Sequence, residues 1–366
     1  MTALPYEVAR PARHPWNGWS HLVHARTHLR KSMAGIAGAA VLALGLTACA
    51  GGDATDTAAD ADAANESVTI TSAYGDAVIE GTPERVVALG WGGADVVLSL
   101  GVVPVGIEAD TWGGDAEGYE PWFREAVEAQ GAELPATIDM YPELDVEKIV
   151  SLDPDVVIAP QSGLTQDAFD QLSEFVPVVA HPGDAWGTSV EDQVKITAKA
   201  LGKESEVEGV LDGMTQATET AAAANPEFKG VSFAYVYGGT QAGSLDVYLP
   251  GDTRVELLTQ LGLELAPSAA ALTSPTGAFT SSLGLENADQ LNDADVLFTW
   301  FNDETEQATT EAQPLWQQIT AVQRGSYVAM LDRQLGMATS VASPLSIPWA
   351  LDRYVPLISD AVTHLS

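Results

Sequence analysis

Three sets of residues could do chemistry. The first is a lone thiol. Cys49 is the only cysteine in 366 residues, so neither an intrachain disulfide nor a cysteine-based zinc site can form. It ends the segment Leu46-Thr47-Ala48-Cys49, after the basic pair Arg30-Lys31 and a charge-free stretch over 33–46 rich in Ala, Gly and Leu. Basic patch, apolar run, small residues and Cys, in that order, form the pattern of a bacterial lipoprotein leader, cleaved before a cysteine that becomes lipidated. The apolar run is too short to cross a bilayer comfortably as a helix. The expected attachment is therefore a lipid anchor on the extracytoplasmic face of the cell membrane, where one acyl chain alone binds only marginally. The competing reading is a buried structural cysteine.

The second set is aromatic. Gly90-Trp91-Gly92-Gly93, Thr111-Trp112-Gly113-Gly114, Gln161-Ser162-Gly163, Trp186, Tyr237-Gly238-Gly239 and Trp300-Phe301 all follow short apolar runs. In open α/β sheets ligands bind beyond the carboxyl ends of the strands. That makes Trp91, Trp112, Gln161, Ser162, Trp186, Tyr237 and Trp300 candidate ligand contacts, although any one Trp serves equally well in a core. A dinucleotide site does not fit the first turn: the G-x-G-x-x-G pattern fails at Asp95, and Trp91 would crowd a pyrophosphate. Arg254 and Arg333 are the two bases plausibly placed near such a cleft. The third set is a pair of acids, Glu147 and Glu286. They sit in an approximate repeat, 145–158 and 285–298, each near the start of a short helix that leads into an apolar strand. Acids in a first helical turn are favoured by the helix dipole, by about 0.3–1 kcal/mol, which is sufficient reason for both.

Other chemistries lack material. His181 and His364 are the two histidines after Cys49, and neither has a partner at metal-ligand spacing. No metal site or cofactor is expected. The nucleophile elbow G-x-S-x-G is absent, which weakens the rival reading of a membrane-anchored α/β hydrolase.

These residues need elements to hold them. β-branched runs over 85–89, 104–107, 155–159, 176–179, 232–237, 245–249, 295–300 and 327–331 alternate with apolar residues at helical spacing. Strands separated by helices predict an α/β fold with parallel sheets. Residues 189–202 and 204–224 read as two helices, the second closed by Asn225-Pro226. The expected architecture is two α/β lobes joined by a long rigid helix, with a ligand cleft between them. The divisions are 1–48 leader, 49–66 lipidated Cys and tether, 67–202 first lobe, 203–226 bridging helix, and 227–366 second lobe. The tether, AGGDATDTAADADAANE over 50–66, is small, acidic and free of aromatics. Four of the six histidines precede the basic patch; translation starting further in, or a removed leader, explains them.

The net charge is −35, and from Cys49 onward 11 bases face 50 acids. Such a polyanion has no clustered Lys and Arg with which to bind nucleic acid. The charge serves either solubility, salt adaptation or the steering of cationic ligands.

In order along the chain, Thr82-Pro83-Glu84-Arg85-Val86-Val87-Ala88-Leu89-Gly90, the run 98–107, the Glu147 segment ending LDPDVVIAP, SEFVPVV, the stretch 186–202, LLTQLGL, the Glu286 segment, 316–328 and Ser343-Pro344-Leu345-Ser346 resemble the siderophore-type periplasmic binding proteins of bacterial ABC importers. The resemblance spans nearly all of 67–366. It implies an extracytoplasmic, monomeric solute-binding protein without enzymatic activity. It implies two lobes with small closure, and an iron chelate, haem or cobalamin in the cleft. It also implies that Glu147 and Glu286 dock onto arginines of the permease subunits. Ferric tris-catecholates are anionic and would need several bases. With Arg254 and Arg333 as the only candidates, an Fe(III)-hydroxamate siderophore fits the aromatic, acid-rich cleft better.

Overall fold

The computed structural model describes residues 67–238, 241, 243–274 and 278–365. It opens on an antiparallel hairpin, β1 (Ser67–Thr71) and β2 (Asp76–Glu80), in the register Ser67↔Glu80. The alternation that lets a hairpin bury one face places Ile70, Ala77 and Ile79 inward, against Val194, Ala198 and Leu201 of the helix Val190–Leu201. Sequence reading began the strands at residue 85 and missed this pair.

Five short strands form the first sheet: β3 (Val86–Ala88), β4 (Gly106–Glu108), β5 (Ala136–Ile138), β6 (Val156–Ile158) and β7 (Val178–Val179). Their order is β5-β4-β3-β6-β7, all parallel. The central strands have no polar face because helices cover both sides. Val86, Ala88, Val156 and Ile158 point into one apolar cluster, and Val87, Leu89, Val157 and Ala159 into another. The crossover helices start on side-chain caps: Asp145 accepts from the Lys148 amide, Thr165 from Ala168 and Ser189 from Asp192.

The second sheet holds β8 (Ser232–Tyr237), β9 (Ser244–Tyr248), β10 (Glu264–Leu265), β11 (Thr280–Gly284), β12 (Val296–Trp300) and β13 (Tyr327–Met330). The order is β11-β9-β8-β12-β13, with β10 beside the start of β8. β8, β12 and β13 are parallel, as expected, whereas β9 is reversed and pairs antiparallel with both β8 and β11. The short connection from β8 to β9 holds no crossover helix, and only an antiparallel partner can follow so closely. The two sheets thus share one spatial order: β3 and β8 are central, and β6 and β12 are added on the other side at a later stage.

Between the sheets in sequence lies the helix Val207–Ala224, entered by a 3-10 turn at Glu204–Glu206. Val207, Val210 and Leu211 pack on the first lobe's core, while Met214, Ala217 and Ala221 pack on a second cluster. At its end the Asn225 side chain donates to the Ala221 carbonyl (2.7 Å) before Pro226 stops the helix.

That second cluster belongs to both lobes. It includes Ile107, Trp122, Phe123 and Val127 from the first lobe, and Phe298, Leu351, Tyr354 and Ile358 from the second, the last three on the helix Ser346–Thr363. Sliding the lobes apart there would expose aromatic area, each ring burying about 150–250 Å². Among the described residues no helix is long and apolar enough to cross a membrane.

Candidate functional site

The loops after β3 and β6 flank the crevice at which the strand order reverses. Gly90 and Gly92 take φ of 86° and 72°, a region that L side chains rarely adopt. A Cβ on Gly90 would collide with the Gln161 carbonyl. This close approach lets the Trp91 amide donate to that same carbonyl (3.0 Å), stitching the two loops together. Gln161 holds the next loop as well: its amide donates to the Trp186 carbonyl (3.1 Å), and its carbonyl accepts from the Thr188 amide (2.7 Å). Trp186 is pinned at φ 62°, and its ring meets that of Trp91 at 5.3 Å between centroids. Trp91, Gln161 and Trp186 therefore come together. Ser162 does not join them: it is fully buried, and its hydroxyl donates to the Ala159 carbonyl (2.8 Å) beneath the loop.

The opposite wall is built at the ends of β8 and β12. Trp300 stacks on Tyr237 at 3.9 Å with the rings 2° from parallel. Its indole N–H donates to the Tyr248 hydroxyl (3.0 Å). Trp112 reaches over from the first lobe to meet Trp300 edge-on at 5.4 Å, and its Nε1 donates to Asn302 Oδ1 (2.8 Å). Asn302 Nδ2 donates in turn to the Tyr237 hydroxyl (3.0 Å), which donates to Glu306 Oε1 (2.9 Å). Burial and the Glu306 carboxylate both push the Tyr237 phenol up, so it stays protonated as a donor.

The two candidate arginines have different fates. Arg333 lies with its guanidinium 6.0 Å from the Trp112 ring centre and donates Nε to the Asn302 backbone carbonyl (2.8 Å). Arg254 is 8 % exposed, forks onto Asp252 (both bonds 2.9 Å) and lies 4.4 Å over the Tyr248 ring. Its charge is neutralised within its own turn, so it props the aromatic wall from behind rather than offering a cation to the cleft. Sequence reading missed Asn302, Glu306 and Tyr248. Asn302 stands two residues after a Trp already singled out at a strand end, the one signal that could have found it.

Beneath the Trp91 and Trp112 turns the floor is acidic. Glu108 Oε2 accepts from the Gly90 amide (2.8 Å), and Asp110 Oδ1 from the amides of Trp112 (2.8 Å) and Gly113 (2.9 Å). Asp95 is wholly buried; its Oδ2 accepts from Trp122 Nε1 (2.7 Å) and from the Ser343 hydroxyl of the second lobe. Burial pushes the Asp95 carboxyl up to about 7 against the pull of those two bonds. Burial likewise raises Glu108 to about 7, opposed by the Gly90 amide and reinforced by Asp110.

Glu147 and Glu286 are both exposed, each in the first turn of the helix that leads into β6 or β12. They thus hold equivalent places in the common strand order. His181 is buried, with Nδ1 2.7 Å from the Gly183 carbonyl and its ring against Tyr74. Among the described residues no three metal-ligating side chains gather. Cys49, the leader, the tether and Gly239 lie outside the described residues.

Residues 86–334 match the family described as periplasmic binding protein. The chain is 25 % identical over 266 residues to the Fe(3+) dicitrate-binding periplasmic protein FecB of Escherichia coli, covering 72 % of this chain and 82 % of that protein. It is 26 % identical over 281 residues to the putative ABC transporter substrate-binding lipoprotein YhfQ of Bacillus subtilis, covering 73 % of this chain and 81 % of YhfQ. Among solved structures, PiaA of Streptococcus pneumoniae in complex with ferrichrome matches with a TM-score of 0.73 at 29 % identity, over 81 % of this chain and 99 % of PiaA. These relatives are solute-binding proteins, not enzymes.

The acidic floor sets a pH dependence. Asp95 and Glu108 keep their protons to about pH 7 in the folded chain, against ordinary values of 3.8 and 4.5. Between those limits the folded state holds more protons than the unfolded one, so stability falls as pH rises through that window. The expected outcome is a melting temperature higher at pH 5.5 than at pH 8. Asp95→Asn, which keeps an acceptor for Trp122 and Ser343, is expected to shrink the difference by at least about 1 kcal/mol. Urea titrations of both proteins at the two pH values measure it; an unchanged difference in the variant would show that Asp95 is ionised throughout.

Proposed function

The chain belongs to the periplasmic binding protein family, and within it we propose a receptor that captures an Fe(III)-hydroxamate siderophore and hands it to an ABC importer. The observation that carries the choice of chelate is the charge of the aromatic cleft. Its wall is Trp112, Trp300 and Tyr237, with Trp91 and Trp186 on the other loop pair. Arg254 is committed to Asp252, and among the described residues Arg333 alone near this wall forms no ion pair. One arginine above an acidic floor is a poor host for a polyanionic tris-catecholate or for ferric dicitrate, the chelate in FecB's name. It suits ferrichrome, the tris-hydroxamate bound by PiaA, or a cationic relative. In this reading Trp91, Trp112, Gln161, Trp186, Tyr237 and Trp300 touch the ligand, while Ser162 and Arg254 support them. A single chain supplies both walls, so the receptor works as a monomer.

Two exposed glutamates at equivalent places on the two lobes support the docking role. A symmetric pair of acids matches a permease that offers one basic site to each lobe, through contacts that are salt-sensitive and geometrically paired. For Cys49, the sequence pattern and YhfQ's designation as a lipoprotein support thioether lipidation at the extracytoplasmic face.

Three measurements test this reading. Titrations followed by tryptophan fluorescence are expected to show tight binding of ferrichrome, at least tenfold weaker binding of ferric dicitrate, and none of a ferric tris-catecholate; the reverse order sinks the hydroxamate assignment. Glu147→Ala with Glu286→Ala is expected to leave chelate affinity unchanged while cutting iron uptake by intact cells more than tenfold; normal uptake would rule out the docking role. Cys49→Ala is expected to move the protein from the membrane pellet to the soluble fraction, and retention in the pellet would refute the anchor.

A further inference from the structure

Trp112 belongs to the first lobe by sequence, yet its ring is seated on the second. Its own lobe closes the backbone of the turn, where Asp110 Oδ1 accepts from the Trp112 and Gly113 amides. The ring meets Trp300 edge-on and lies over the bare backbone of Gly336 on the helix Arg333–Val341, where an added Cβ would stand 3.1 Å from Trp112 Cη2. Next in the turn, Gly113 passes so close to the same helix that a Cβ there would fall 2.6 Å from Met337 Cβ and 3.1 Å from the Arg333 carbonyl oxygen.

Asn302 completes this seat, and its orientation is forced from behind. Glu306 stands in the first turn of the helix Glu304–Glu311, its amide donating to the capping carboxylate of Asp303 (2.8 Å). Glu306 Oε2 accepts from the Asn302 backbone amide (2.6 Å) and from Asn302 Nδ2 (2.9 Å). A carboxylate only accepts, so the donor end of the Asn302 side chain must face it. The oxygen end is thereby left toward Trp112, whose indole N–H only donates. Turning the amide over would set donor against donor at Trp112 and acceptor against acceptor at Glu306, so the bond across the lobes has one stable polarity. Tyr237 takes the second Nδ2 proton (3.0 Å), and Arg333 donates Nε and Nη2 to the Asn302 carbonyl. Asn302 is thus fixed by three elements of its own lobe and spends its side-chain acceptor on a residue 190 positions away in the other.

We propose that Asn302 is a positioning residue for the ligand wall: its amide latches Trp112 to the second lobe and so assembles the Trp112–Trp300 corner before a chelate arrives. The latch rests on the reading in which those rings touch the ligand, and it deepens that reading by naming what orders them. A wall already in place needs no ordering when the chelate binds. A loose Trp112 lowers the fraction of competent molecules, and the apparent affinity falls with it.

The test separates the latch from the ligand. Asn302→Leu keeps the size of the side chain and removes both ends of the amide. In the ligand-free chain, proton exchange of the tryptophan indoles is followed by two-dimensional NMR, with the Trp112 signal identified by its loss in Trp112→Phe. That proton is expected to be protected in the native chain and to exchange at least about tenfold faster in Asn302→Leu. Equal exchange in the two would overturn the latch, whatever the chain binds. In stopped-flow titrations with ferrichrome, Asn302→Leu is expected to slow association at least about fivefold and to change dissociation less than about twofold, as a smaller competent fraction requires. Gly336→Ala crowds Trp112 without touching the amide and favours its own helix. It is expected to move both readouts in the same direction, and it carries the test should Asn302→Leu fold poorly. Association at the native rate or faster in a variant that folds would overturn the positioning role and leave the hydroxamate reading in place. If the native chain binds no ferrichrome, the hydroxamate reading fails, and indole exchange alone upholds or overturns the latch.

Discussion

One buried carboxylate ties the lobes together. Asp95 lies in the first helix after β3, holds the indole of Trp122 and receives the hydroxyl of Ser343 from the far lobe. Around it the apolar cluster continues without a break from Phe123 to Phe298 and Tyr354. A charge or polar group placed there without partners would cost several kcal/mol; with them, it fixes the two lobes in register. The helix Val207–Ala224 then has less to do than its length suggests. Only Thr218 of its eighteen residues is fully buried, and it acts as a spacer laid along a junction that other residues hold.

The tryptophan-bearing loops of the two lobes are built by the same route. The shared order of strands puts the crevice in the first sheet between β3 and β6, and in the second between β8 and β12. Tryptophan follows β3 at once and ends β12. The helices that enter β6 and β12 carry Glu147 and Glu286. One topology used twice thus places aromatic residues at strand ends and one exposed acid on the helix that enters β6 or β12 in each lobe. The reversed strand β9, between β11 and β8, is the main departure, and it lies toward the sheet edge, clear of the β8–β12 crevice.

Much of this was legible in the residues. Val86-Val87-Ala88 and Val156-Val157-Ile158 have no polar face, so they could only be central strands. Trp91, Trp112 and Trp300 stand where such strands end, and the structure brings the last two into contact. Three kinds of feature escaped. The strand Thr280–Gly284 is Ser-rich and exposed on one face, so it carries almost no apolar signal. The roles of Asp95 and Asn302 depend on partners far along the chain, as in the contact of Asn302 with Trp112 across 190 positions, and local pattern holds no trace of them. Ser162 and Arg254 sit in the right loops, yet their polar groups are consumed locally, by the Ala159 carbonyl and the Asp252 carboxylate. Residue type and strand-end position identify a loop; they do not reveal which of its side chains faces outward.

The paired indoles have a further consequence. Trp91 with Trp186 and Trp112 with Trp300 are held with their ring centres 5.3 and 5.4 Å apart and steeply tilted. Transition dipoles so close and so skewed mix into exciton states, which gives the cleft an intrinsic chiroptical signature without any label. The Trp112–Trp300 couplet spans both lobes, so its sign and amplitude encode the angle between them.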